Sequence, residues 1–118
     1  MNNGYTLKLA EIVDKRETAL VGREHGEETL KQLKQKKIIL KELEGKYDHI
    51  LVEIPTKIIT INKSFFLGLF ETRILELGKQ NFENKYAFIT SDHIVEKIKK
   101  HIEAALLNAT QKEIMNEQ

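Results

Sequence analysis

Cysteine is absent from all 118 residues, which excludes disulfide cross-links, thiolate catalysis and cysteine-bound zinc by arithmetic. The same absence favours a reducing compartment. Charge of one sign is missing too. The 19 basic residues balance 18 acidic ones for a net charge of +1, so composition implies no strongly charged partner. Aromatic residues make up only 7% of the chain. Without a basic field or a stacking platform, nucleic acid is the least expected partner. No apolar run approaches the roughly 20 residues that a membrane-spanning helix needs. Met1 to Tyr5 also lacks the basic segment and apolar run of a secretory leader. The expectation is a cytoplasmic protein with no membrane partner.

The residues that are present suit one soluble globular domain. A hydrophobic share of 41% and a charged share of 31% are ordinary for that class, and the length is that of a single domain. Residues 1–110 are expected to form it, and the polar stretch 111–118 to fray. Tyr5 to Val13 alternates with Leu7, Leu9 and Val13 on one side, which predicts a strand. Asp14 to Glu17 is a turn, and Thr18 to Val21 a second short apolar run. Leu30, Leu33, Leu40 and Leu43 keep helical spacing across a Lys/Glu-rich segment. They predict one helix from about Glu24 to Leu43, capped by Gly45. His49 to Ile54 is almost continuously apolar, as a strand buried on both faces reads. Pro55, the single proline, ends it. Lys79 to Asn84 reads as a polar loop and Tyr86 to Ile89 as a strand. Thr90-Ser91-Asp92 starts a final helix whose apolar face carries Ile94, Val95, Ile98, Ile102, Ala105 and Leu106.

One junction stands out. Ile58 to Ile61 is a β-branched run suited to a pleated surface. Beyond Ser64 the period becomes helical, with Leu67, Phe70, Ile74 and Leu77 on one face beside Phe66. Asn62, Lys63 and Ser64 form the corner between the two, and either Asn62 or Ser64 can cap the free N–H groups of the helix. Such a terminus favours negative charge. A hydroxyl there can hold an anion, cap the helix or carry a phosphate. Strands alternating with helices predict an α/β (or α+β) fold, with a small, mixed, partly parallel sheet of four to five strands and about three helices.

No standard catalytic or metal constellation is legible. His25, His49, His93 and His101 show no i, i+4 pair and no His-Glu-x-x-His. The expectation is a protein with no metal, no cofactor and no enzymatic activity. Gly22-Arg23-Glu24-His25-Gly26 places two glycines and a cation at a helix start, so Arg23 and Gly26 are candidates for holding a phosphate or carboxylate. The stretch is neither a P-loop nor a dinucleotide fingerprint, and the alternative is a turn with Arg23 paired to an acidic neighbour. The lysines Lys31, Lys34, Lys36, Lys37 and Lys41 are flanked by Glu27, Glu28, Glu42 and Glu44 and read as a solvated helix face. Phe65, Phe66, Phe70, Tyr86 and Phe88 read as core.

Three blocks together resemble the STAS-like domain family DUF4325. Gly22 to Glu28 is similar to that family's Gly-Arg-Glu-Asn-Gly-type motif. Ile50 to Ile54 stands where an apolar strand ending in Asp-Phe is usual. Ile59 to Phe70 with Leu77-Gly78 is similar to an Ile-Thr-x-Ser-Phe-x-Asp-Glu-x-Phe-Gly block. The resemblance spans residues 18–107. It implies a STAS-like sheet with helices packed on it, related to anti-sigma-factor antagonists, in which a Ser or Thr at a helix N-terminus is phosphorylated by a partner kinase. The departures are Glu53-Ile54 for Asp-Phe and Gly68-Leu69 for the acidic pair. Ser64 is the one position onto which the switch carries over. The expected function is therefore a non-enzymatic regulatory interaction module. Asn62, Lys63, Ser64 and Phe65 would dock a protein partner, such as a histidine-kinase-like ATPase or another regulator. The competing expectation is a small anionic ligand or nucleotide held by Arg23 and Gly26. Neither reading sets an oligomeric state.

Overall fold

A computed structural model describes residues 3–116, with side chains through residue 109. Met1 and Asn2, part of the stretch read for a leader, lie outside the described residues. The order is β1 (Gly4–Lys8), a 3-10 turn (Leu9–Glu11), β2 (Ala19–Leu20), α1 (Arg23–Gln35), α2 (Leu40–Lys46), β3 (His49–Glu53), β4 (Thr60–Ile61), α3 (Lys63–Leu77), α4 (Lys79–Lys85), β5 (Tyr86–Ile89) and α5 (Asp92–Asn116). The α/β class is as expected. The detail differs, because the strands form two wholly parallel sheets, β1-β3-β5 and β2-β4, in place of one mixed sheet. Among the described residues five α-helices stand where about three were expected.

The extra helices have local causes. The predicted helix over Glu24 to Leu43 breaks after Gln35. Lys37 adopts a left-handed φ of 65°, its N–H bonds Lys34 O at 2.9 Å, and Ile38 N–H bonds Leu33 O at 2.9 Å. That pair of bonds is the Schellman closure of a helix end, made here without glycine. Gly45 consequently lies inside α2 and caps nothing; Tyr47 follows the helix end. The predicted loop at Lys79 to Asn84 is helix α4. Gly78, at φ 83°, ends α3 and starts α4, and Phe82 is fully buried beneath it. The N-terminal strand stops at Lys8, and a 3-10 turn carries Leu9 and Val13 into the core. The tail expected from residue 111 has helical backbone through Asn116.

The core lies between the three-stranded sheet and the helices. Leu7, Ile50, Val52 and Tyr86 face inward from the sheet, and Phe65, Phe66, Phe70 and Ile74 from α3 meet them. Of the aromatic residues read as core, Phe88 is half-buried and the other four are buried. The apolar face of α5 is buried through Ile94, Ile98, Ile102 and Ala105. Strand β3, expected to be covered on both faces, is covered on one: Ile50 and Val52 are buried, but Leu51 and Glu53 are only half-buried.

Two glycines set the spacing of α1 and α3. A Cβ on Gly26 would overlap the Phe65 carbonyl and lie 3.1 Å from Gly68 Cα, and a Cβ on Gly68 would overlap the Arg23 carbonyl and lie 3.1 Å from Glu27 N. The helices therefore touch backbone to backbone where the two glycines face each other.

Candidate functional site

Strands β2 and β4 pair in parallel, Ala19 with Thr60 and Leu20 with Ile61, and each leads directly into a helix. Helices α1 and α3 therefore begin side by side and run the same way. Asn62 joins the two starts. Its Oδ1 accepts the N–H of Phe65 at 2.9 Å, capping α3, and the N–H of Gly22 at 3.2 Å, holding the α1 start in place. Gly22, at φ 94°, has no side chain with which to cap α1. Two positive dipole ends thus share one corner.

Asn62, Lys63 and Ser64 are exposed there. The Ser64 hydroxyl has no hydrogen-bond partner among the described residues, and capping falls to Asn62. Phe65 is different: it is 1% exposed, and its ring meets the edge of His25 with centroids 5.0 Å apart. The docking role expected for Phe65 is corrected accordingly, because its side chain supports the corner from inside and presents nothing to a partner.

The anion candidates fare unequally. Gly26 is buried in the first turns of α1 and its N–H is bonded to Gly22 O at 3.1 Å. The glycine serves the helix contact and has no N–H to offer a ligand. Arg23 is half-exposed and pairs with Glu71 at 3.2 Å and Glu27 at 4.0 Å, the structural alternative weighed for it. A groove of ≈ 910 Å³ lies elsewhere, at the carboxyl ends of β3 and β5, lined mainly by Ile54, Pro55, Ile58, Ile59 and Ile89, with Glu53 its one charge. Its lining holds no cation for an anionic ligand.

Two polar groupings beyond those expected from the sequence come together in the fold. His25 Nε2 lies 3.3 Å from Glu17 Oε1, a pairing between a loop and α1. The second is a buried network. Arg73, on α3, grips Glu44 of α2 with two hydrogen bonds and donates to Glu76 at 2.7 Å, while Tyr86 OH donates to Glu44 at 2.6 Å. Burial pushes Glu44 up, but the bonds from Arg73 and Tyr86 together outweigh it and hold the carboxyl below its ordinary value. Hydrogen bonding to Glu44 raises Arg73, and burial, then Glu44, push the Tyr86 phenol well above its usual value. A signal for this network existed. Arg73 lies three residues after Phe70 and four after Leu69, on the apolar stripe of α3, and a cation there needs a buried partner.

His101 Nε2–H donates to Ile61 O, 2.9 Å away, at the end of β4. Burial holds the imidazole below its ordinary value against the opposing carbonyl, with Lys97 and Lys63 adding to the lowering. Among the described residues no group of His, Cys, Asp and Glu is placed to hold a metal ion, and no helix is long and apolar enough to cross a membrane. The chain matches no family model, no curated protein and no solved structure in three comparisons.

Proposed function

We propose that the chain is a non-enzymatic, STAS-like regulatory interaction module, whose docking surface is the exposed corner of Asn62, Lys63 and Ser64 and whose switch is phosphorylation of Ser64. The observation that supports this reading is the pairing of two helix starts through Asn62, which leaves Ser64 exposed beside two positive dipole ends. A phosphate on Ser64 adds about −1.5 to −2 charge at pH 7. That charge is favoured locally by the helix ends and by Lys63, so the modified corner keeps its fold. It changes sign for a partner, which an acidic surface would then avoid.

The structure of the corner also accounts for the division of labour. Asn62 caps α3, so Ser64 is free of a structural duty that a phosphate would disrupt. The test uses capture of partners from lysate by the wild type, Ser64→Ala and Ser64→Asp. Selective loss of a bound partner with Ser64→Asp is the expected result. Identical partner profiles for all three would sink the proposal.

A further inference from the structure

Strand β1 is one edge of the three-stranded sheet, and among the described residues it pairs with β3 alone. The phase of that pairing is fixed. Asn3 O accepts the N–H of His49 at 3.1 Å, and Gly4 lies opposite His49, so the backbone groups of Tyr5 and Leu7 turn toward β3 and those of Thr6 turn away. Thr6 is exposed, and its N–H and C=O have no hydrogen-bond partner among the described residues. Such an edge is a template for another strand.

Beside this edge runs a groove of ≈ 420 Å³, lined by all five residues of β1 and, across from them, by the segment that joins α1 to α2. Tyr5, Ile12, Ile38 and Tyr47 give it an apolar lining and are half-buried. Both ends are fixed. Lys36 Nζ donates to Glu11 O at 3.3 Å at one, and the rings of Tyr5 and Tyr47 meet at the other, with centroids 5.3 Å apart. Lys8 and Lys36 line the first end with no carboxylate within 4.0 Å among the described residues, and Glu11 is the one acidic residue of the lining.

We infer that the groove takes an extended segment of another protein, added antiparallel to β1 as a fourth strand, with apolar side chains at alternate positions and an acidic one beside Lys8. In an antiparallel pair one partner residue meets both free groups of Thr6, and parallel pairing is slightly less stable. Side chains alternate across a strand. The partner residues opposite Tyr5 and Leu7 therefore point into the groove, and the one opposite Lys8 lies next to its ammonium group, where opposite charges attract. A second copy of the chain fits less well, because neither of its edge strands, Gly4–Lys8 or Tyr86–Ile89, contains a carboxylate. Strand addition of this kind takes affinity from main-chain bonds and specificity from alternate side chains.

Fluorescence anisotropy of a labelled peptide, Ser-Glu-Ile-Thr-Ile-Ser, titrated with the chain tests the inference. The peptide should bind with a Kd below about 1 mM. Lysine in place of its glutamate should weaken binding about threefold or more, and Lys8→Glu should reverse that preference. Methylating the amide nitrogen of its threonine should weaken binding about tenfold or more. Thr6→Pro should do the same, since it removes a donor that no ladder uses. Circular dichroism establishes that the variants fold, and the methylated peptide leaves the chain itself unaltered. No binding up to about 1 mM overturns the inference. So does binding insensitive to the methyl group or to the exchange of glutamate for lysine. A dimer in sedimentation velocity that Thr6→Pro dissociates also overturns it, because the edge would then belong to a second copy.

Discussion

Replacing Gly68 by alanine tests the account of the helix pair most directly, because two opposing effects of known sign meet at one methyl group. Inside a helix, Gly→Ala gains about 1 kcal/mol from backbone propensity. At Gly68 the new Cβ meets the Arg23 carbonyl and, at 3.1 Å, the Glu27 nitrogen. Both are backbone atoms, so no rotamer change relieves the overlap, and α1 must move away from α3. Overpacking costs about 1–3 kcal/mol, and the rigidity of the obstacle sets the upper end. The net expectation is a loss of about 2 kcal/mol, the difference between about 3 lost and about 1 gained. Gly45 is the control: it lies within α2 at a φ outside the left-handed region, with nothing within 4 Å of its added Cβ. Gly45→Ala should gain about 0.5–1 kcal/mol. Urea unfolding of both variants, with the midpoint read at unchanged slope, decides the matter. A Gly68→Ala protein as stable as the wild type, alongside the expected gain at Gly45, would refute the backbone-contact reasoning.

Arg73→Met should cost about 3–5 kcal/mol, because it leaves the Glu44 carboxylate buried without its cation. Adding Glu44→Leu removes that charge and should recover most of the loss; a double variant no more stable than the single would contradict the network as described. Lys37→Gly relieves a left-handed residue worth about 1–2 kcal/mol, offset by about 0.5–1 of extra chain entropy. The expected result is a small rise in the urea midpoint, and a fall would discount the Schellman closure. His101 is held below its ordinary value in the fold, so the unfolded chain binds that proton more readily. Its contribution to stability is therefore full above about pH 6.5 and lost as pH falls through the folded value. Unfolding free energies at pH 7 and pH 5 should differ less in His101→Gln than in the wild type, and an identical difference would remove His101 from the pH response.

Local pattern carried much of the fold. The β-branched run Ile58 to Ile61, the period change after Ser64 and a cap at Asn62 or Ser64 are all properties of neighbouring residues, and they place the start of α3 close to where the structure has it, with Asn62 as the cap. The apolar face of α5 was legible for the same reason. The break at Lys37 was not, because a left-handed cap made by lysine lacks the glycine that signals such an end. Nor was α4, whose one anchor, Phe82, stands alone among polar residues and gives no period.

The candidate corner divides along the same line. Composition and local pattern determined that this is an α/β chain without cysteine chemistry, and that Ser64 lies at a helix start. Tertiary structure decided that α1 starts beside α3, that Gly26 and Gly68 exist for a backbone contact, that Phe65 is buried and that one face of the parallel sheet stays open. The physical reason is range. Periodicity, capping and propensity act over a few residues, whereas the bond from Asn62 to Gly22 and the grip of Arg73 on Glu44 span 40 and 29 positions and form only once the chain has folded.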